Sequence, residues 1–138
     1  MNTTVYNQFI SKLFGGTDFS ATSMKIALLD SNYVPAKQHT TFASISADEV
    51  SGVGYVAGGK LLTGIVVEEL IGQDAYSIKA DDASWDPSTI TARVVVIYEE
   101  ISDDLIASFY LDADEISNNG LFEIQWNIDG VLKVSQKV

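Results

Sequence analysis

The sequence predicts a mainly β domain: an antiparallel β-sandwich-like fold over residues 24–138, preceded within residues 1–16 by a short amphipathic helix. Three observations point there. Helical periodicity of apolar residues is confined to the first fifteen positions; from Met24 onward they come in short runs or alternate. Turn-forming Gly, Asn and Asp punctuate those runs, and no strand–helix–strand rhythm separates them. At 138 residues, with 46% hydrophobic and 10% aromatic content, the chain can bury one core but not two.

Residues 3–14, TTVYNQFISKLF, place Val5, Phe9 and Leu13 at i, i+4 and i+8, with Tyr6 and Ile10 beside them. Thr3 or Thr4 can cap that helix, Lys12 opposes its dipole, and Gly15-Gly16 ends it. MKIALLD (24–30) reads as a buried strand. A loop-like region from Ser31 to Gly59 follows, with a short helical turn expected around Thr40–Ile45. KLLTGIVVEELI (60–71) and AYSIKA (75–80) form a hairpin turning near Gly72-Gln73-Asp74. ITARVVVIYEEI (90–101) and LIASFYL (105–111) are the next two strands. In LFEIQWNI (121–128), Phe122, Ile124, Trp126 and Ile128 share one face, and Asp129-Gly130 is the preferred turn into VLKVS (131–135). Seven short strands and one helix make a single domain, 1–138.

Composition removes several function classes. The absence of Cys rules out thiol catalysis, thiolate metal sites and disulfides. Eight Lys plus Arg against nineteen Asp plus Glu give a formal charge of −11, which repels phosphate backbones, so no nucleic-acid partner is expected. No apolar run approaches a membrane span, and the start of the chain lacks the basic and apolar regions of a secretory signal. A soluble chain beginning at Met1 is the expectation.

Candidate chemistry is sparse. His39 is the single histidine, and no G-x-S-x-G elbow accompanies it, so QHTTF reads as a solvated loop. One His without Cys cannot build the usual zinc ligand set. Thirteen of the nineteen acids fall in residues 68–115. They suit turns and strand edges, where charge stops sheets from pairing with strangers. DADEISNNG (112–120) superficially resembles a calcium loop, but Ile116 occupies a ligand position. GVGYVAGG (52–59) is not a phosphate loop: Leu61 follows Gly59-Lys60, and a strand rather than a helix comes next. Its glycines fit close backbone approach, with Tyr55 as an anchor. Of the tryptophans, Trp126 falls on an apolar strand face. Trp85, in a turn between acids and a proline, is the exposed-aromatic candidate for stacking on a ligand such as a sugar.

Three separated segments carry a resemblance. MKIALLDSNYVP (24–35), TFASISADEVSGVGYVAGGKLLTG (41–64) and DDASWDPSTITARVVVIY (81–98) resemble a family of small virion proteins of tailed bacteriophages, in the same order and over essentially the whole chain. The chain departs from that pattern after Tyr98, where EEISDD is short and acidic and Ala107-Ser108 stands for a usual Gly-Tyr. The resemblance implies a structural component of a phage particle with no catalytic residues, cofactor or metal. The expected place is the virion, as a decoration or cement protein on the outer head surface. A tail, neck or fibre component is the alternative, as is an exterior carbohydrate-binding module. Expected partners are other capsid or tail subunits and further copies of the chain, not nucleic acid or membrane. The helix face Val5, Tyr6, Phe9, Ile10 and Leu13, with the loop at Tyr55, Gly58 and Gly59, is the candidate contact surface; packing within the chain is the competing reading.

Overall fold

In the computed structural model, which describes residues 2–135, the apolar runs of the sequence become the middle of a five-stranded sheet. The elements in chain order are β1 (Asn2–Val5), α1 (Asn7–Phe14), β2 (Met24–Leu29), β3 (Lys60–Leu61), β4 (Val66–Leu70), β5 (Ala75–Lys79), β6 (Ala83–Ser88), β7 (Thr91–Glu99), β8 (Leu105–Ile116), β9 (Gly120–Ile124) and β10 (Leu132–Ser135). The large sheet has the order β1-β8-β7-β2-β3; β10-β5-β4 and β6-β9 form two smaller sheets. All pairings among these strands are antiparallel. The fold is mainly β and forms one small domain.

The unbroken runs IALL and VVVIY follow from burial on both sides. On one face of the large sheet, Met24, Ile26, Leu28, Val95 and Ile97 meet Phe9 and Phe19 and the small-sheet residues Ile78, Trp85, Phe122 and Leu132. On the other, Ala27, Leu29, Val94, Val96 and Tyr98 are covered by Tyr6, Tyr33, Phe42 and Ile45. Strands with two buried faces have no polar side to show. An irregularity between Ala92 and Val94 shifts the alternation, so these two residues of equal parity enter opposite cores. Arg93, at that irregularity, donates to the Leu111 carbonyl at 3.0 Å and to Asp114 at 3.1 Å.

Four sequence expectations are corrected. The helix does not occupy 3–14: residues 2–5 pair with β8, and Tyr6, extended and without a side-chain cap, leads into α1. Local periodicity could not reveal a strand whose partner lies a hundred residues away. The segment 60–71 is two strands in different sheets, redirected at Thr63-Gly64 by Asp81. The Asp81 backbone N–H donates to the Thr63 carbonyl at 2.8 Å, and its carboxylate accepts from the Thr63 hydroxyl at 3.0 Å. Residues 83–88 form a strand rather than a turn, despite a cis Asp86–Pro87 bond. Finally, 121–128 and 131–135 are not hairpin partners: β9 pairs with β6, and β10 with β5. The turn at Asp129-Gly130 does form, with the Gly130 N–H donating to the Asn127 carbonyl at 2.8 Å. It joins two sheets instead of two arms of one.

The β4–β5 hairpin matches its sequence reading, turning through Gly72 and Asp74, both at positive φ. Near the expected helical turn at 40–45, a 3-10 turn spans Ser46–Asp48.

Candidate functional site

The glycine-rich segment leaves the edge of β2 and returns to the same edge. Glu49 bridges Leu29, and the Val50 N–H donates to the Leu28 carbonyl at 3.0 Å; ten residues after Val50, Lys60 and then Leu61 pair with Ile26 and Lys25. In between, the Tyr55 hydroxyl accepts from the Leu28 N–H at 3.0 Å and donates to the Glu49 carboxylate at 2.7 Å. The same Glu49 oxygen accepts from the Gly58 N–H at 2.8 Å. From β7, the Tyr98 hydroxyl donates to the Gly58 carbonyl at 2.6 Å. Tyr55 also packs on Trp85, ring centroids 6.0 Å apart. Every one of these bonds is internal.

This clamp shapes the titration of its members. Burial, then the Glu49 charge, pushes the Tyr55 hydroxyl well above its ordinary range, although the Leu28 N–H pulls the other way. Tyr98 is pushed up to about 12, first by burial and then by the charges of Glu49, Asp103 and Glu100. Glu49→Ala removes the shared acceptor of two hydrogen bonds. At ~1.5–3 kcal/mol for a bond to a charged group, partly offset by water, the expected loss is about 2–4 kcal/mol. Urea unfolding of Glu49→Ala beside the exposed Glu69→Ala, expected within about 0.5 kcal/mol of the parent, checks it.

A second polar chain ties the 30–45 loop to the other core. The hydroxyls of Tyr6 and Tyr33 lie 2.6 Å apart, and Tyr33 reaches His39 Nδ1 at 2.9 Å. His39 is half-buried and its ring lies 5.5 Å from that of Tyr33, so it anchors its loop rather than standing free in solvent. Burial raises both tyrosine hydroxyls above their usual range; the hydrogen bond with Tyr33 tempers the rise at Tyr6, whereas Tyr6 adds to it at Tyr33.

The residues singled out from sequence divide by orientation. Tyr6 and Phe9 are 0% and 3% exposed and belong to the chain's own cores, with Val5 packed beside them. Ile10 and Leu13 are 42% and 41% exposed, and the neighbouring Phe14 is 89% exposed. Lys12 fastens the helix to the β7–β8 turn, 2.7 Å from Glu99 and 2.9 Å from Asp104. Tyr55, Gly58 and Gly59 are held against β2 and β7 by the clamp. The hydrophobic tips of that loop are Val53 and Val56, 70% and 73% exposed.

Trp85 is corrected. It is 5% exposed, its strand position turning it inward with Ala83, between Tyr55 and Phe122. Lys60 lies over its ring at 5.2 Å and donates to the Ser84 carbonyl. Its ring is used inside the domain rather than offered as an exposed face. Family models, curated proteins and solved structures give no match to the chain.

Among the described residues, no three His, Asp or Glu side chains converge as a metal site, and no helix is long and apolar enough to cross a membrane. Two clefts remain. One, of about 450 Å³, runs between α1 and the β10-β5-β4 sheet and is lined by Phe9, Leu13, Val67, Tyr76 and Val134. The other, of about 500 Å³, lies beside Trp126. Sequence reasoning assigned Trp126 to the core because the alternation of 121–128 extends through it; the strand itself stops at Ile124. Glu49 and Tyr98 were equally overlooked, although Glu49 lies within the quoted segment 41–64 and Tyr98 closes the segment 81–98.

Proposed function

We propose that the chain is a non-enzymatic structural subunit of a tailed-bacteriophage particle, a decoration protein on the outer surface of the head. One observation supports this most directly. The three segments that carry the resemblance close on one another: Glu49 and Tyr55 on β2, Tyr98 on Gly58, and Trp85 on Tyr55. Their distinctive residues are used to build the body of the domain, as befits a protein whose work is to hold its place. In the same reading the large sheet and the two small sheets over one of its faces make a sandwich-like body. The exposed Ile10, Leu13 and Phe14, beside the apolar cleft under α1, supply the contact with neighbouring subunits.

Charge favours the outside. A net −11 is repelled by packaged nucleic acid, whereas on the exterior it aids solubility. Quantitative mass spectrometry of purified particles of the encoding phage tests the reading. Hundreds of copies per particle are expected. A few copies or a few dozen would move the chain to the tail, neck or fibres, and its absence from particles would overturn the proposal.

A further inference from the structure

We infer that the cleft beside Trp126 is a binding site for neutral carbohydrate. Its volume of about 500 Å³ lies within the roughly 300–1,000 Å³ typical of small-molecule sites. Its lining combines an aromatic and aliphatic wall, Trp126, Phe109 and Leu111, with a polar rim that includes Glu115, Glu123 and Asn127. That mixture suits a ligand with apolar C–H faces and a ring of hydroxyls.

The indole is fixed before any ligand arrives. Its N–H donates to the Asp81 carbonyl at 3.0 Å, the Trp126 backbone N–H donates to the Asp82 carboxylate at 2.9 Å, and Phe109 packs with its ring centroid 5.5 Å away. With its only donor already used, the side chain has its ring face left to offer, and a ring face recognises C–H groups by stacking. A locked platform also avoids the cost of ordering a mobile side chain on binding.

The rim supplies acceptors. Gln125 donates to one Glu123 oxygen at 2.6 Å and the Asn127 carbonyl oxygen accepts from the Asp129 N–H at 3.0 Å. The other Glu123 oxygen, the Glu115 carboxylate and the Asn127 amide nitrogen have no bond partner among the described residues. Sugar hydroxyls donate to carboxylates, while the two negative charges repel sialic or uronic acids. The ligand class is therefore a neutral oligosaccharide.

Titration of the full chain with neutral trisaccharides built from glucose, galactose, mannose or N-acetylglucosamine, beside sialyllactose and a galacturonate trimer, tests the site. Because Trp85 is buried, a change in tryptophan emission reports on Trp126. At least one neutral trisaccharide is expected to give a saturable change below about 10 mM, and the acidic ones at least about tenfold weaker binding. By calorimetry, which does not depend on the indole as reporter, Trp126→Ala should abolish neutral-sugar binding, and Trp85→Phe should retain both binding and the emission change. Glu123→Lys, at an exposed position and with its far-ultraviolet circular dichroism expected to match the parent, should weaken neutral binding about tenfold by calorimetry. No saturable change with any neutral trisaccharide, binding that survives Trp126→Ala, or equal affinity for the acidic sugars overturns the inference.

Discussion

Gly59→Ala is expected to cost more than about 4 kcal/mol, a large part of the ~5–15 kcal/mol that holds a domain of this size together. Two effects add. Gly59 sits at φ +76, where a Cβ costs about 1–2 kcal/mol. A Cβ there would also lie 1.9 Å from the Ile26 carbonyl oxygen and 2.9 Å from the Ala27 Cα. Those are backbone atoms of β2 at Ile26 and Ala27, whose side chains are 0% exposed and point into opposite cores, so neither can move aside without dislodging both. Gly72 is the matched control: its φ is +83, but nothing lies within 4 Å of its would-be Cβ. Gly72→Ala should therefore lose only the backbone part, about 1–2 kcal/mol. Urea unfolding of the two variants separates strain from contact. Equal losses would mean that the loop does not press on β2 as described.

The glycine loop shows what the sequence discloses and what it withholds. Glycine density and an embedded tyrosine announce close approach and an anchor, and both are found at Gly59 and Tyr55. The acceptor that locks them, Glu49, looks like any other acid in a chain with nineteen. The same boundary runs through the fold. β2 and β7 were legible because burial on two faces leaves an unbroken apolar run. The turn at Asp129-Gly130 was legible because positive φ at Gly130 is a local demand. Which strand each arm joins was not, since that depends on distant partners: Trp85 opposite Phe122, and the Ile78 carbonyl accepting from the Val131 N–H at 2.8 Å. Trp85 was misplaced for this reason, while Trp126 does pack against the core as its strand face implied, though only partly buried. Acids and a proline disguised β6 as a turn, and alternation carried β9 four residues too far.

The stability of the chain is expected to collapse between about pH 10 and about pH 12, the ordinary tyrosine value and that of Tyr98. Tyr6, Tyr33, Tyr55 and Tyr98 all have hydroxyls whose proton the fold holds more tightly than the unfolded chain does, with burial as the leading cause. A raised folded value gives stability that is complete below about pH 10, because both states are then protonated. Above it the unfolded chain sheds protons first, binds fewer than the native state, and gains on it by about 1.4 kcal/mol per pH unit for each tyrosine. Lys12 acts in the same direction. The hydrogen bond to Glu99 is the main cause of its raised value, so the tie from α1 to the β7–β8 turn weakens only as the pH climbs past the ordinary lysine range. Even two tyrosines acting together would remove about 3 kcal/mol per unit, enough to unfold a marginally stable domain before pH 12. Urea midpoints measured from about pH 8 to about pH 11, with tyrosinate absorbance and far-ultraviolet circular dichroism followed together, give the check. The midpoint should be level up to about pH 9.5 and then fall steeply, and the bulk of the tyrosinate signal should appear with the loss of β structure. Tyr33→Phe should make the fall shallower by about one proton, because it removes one of the hydroxyls that the native state protects. Tyrosinate rising at about pH 10 with the β signal intact would mean that these hydroxyls ionise in the folded chain, and that the two clamps are open to water.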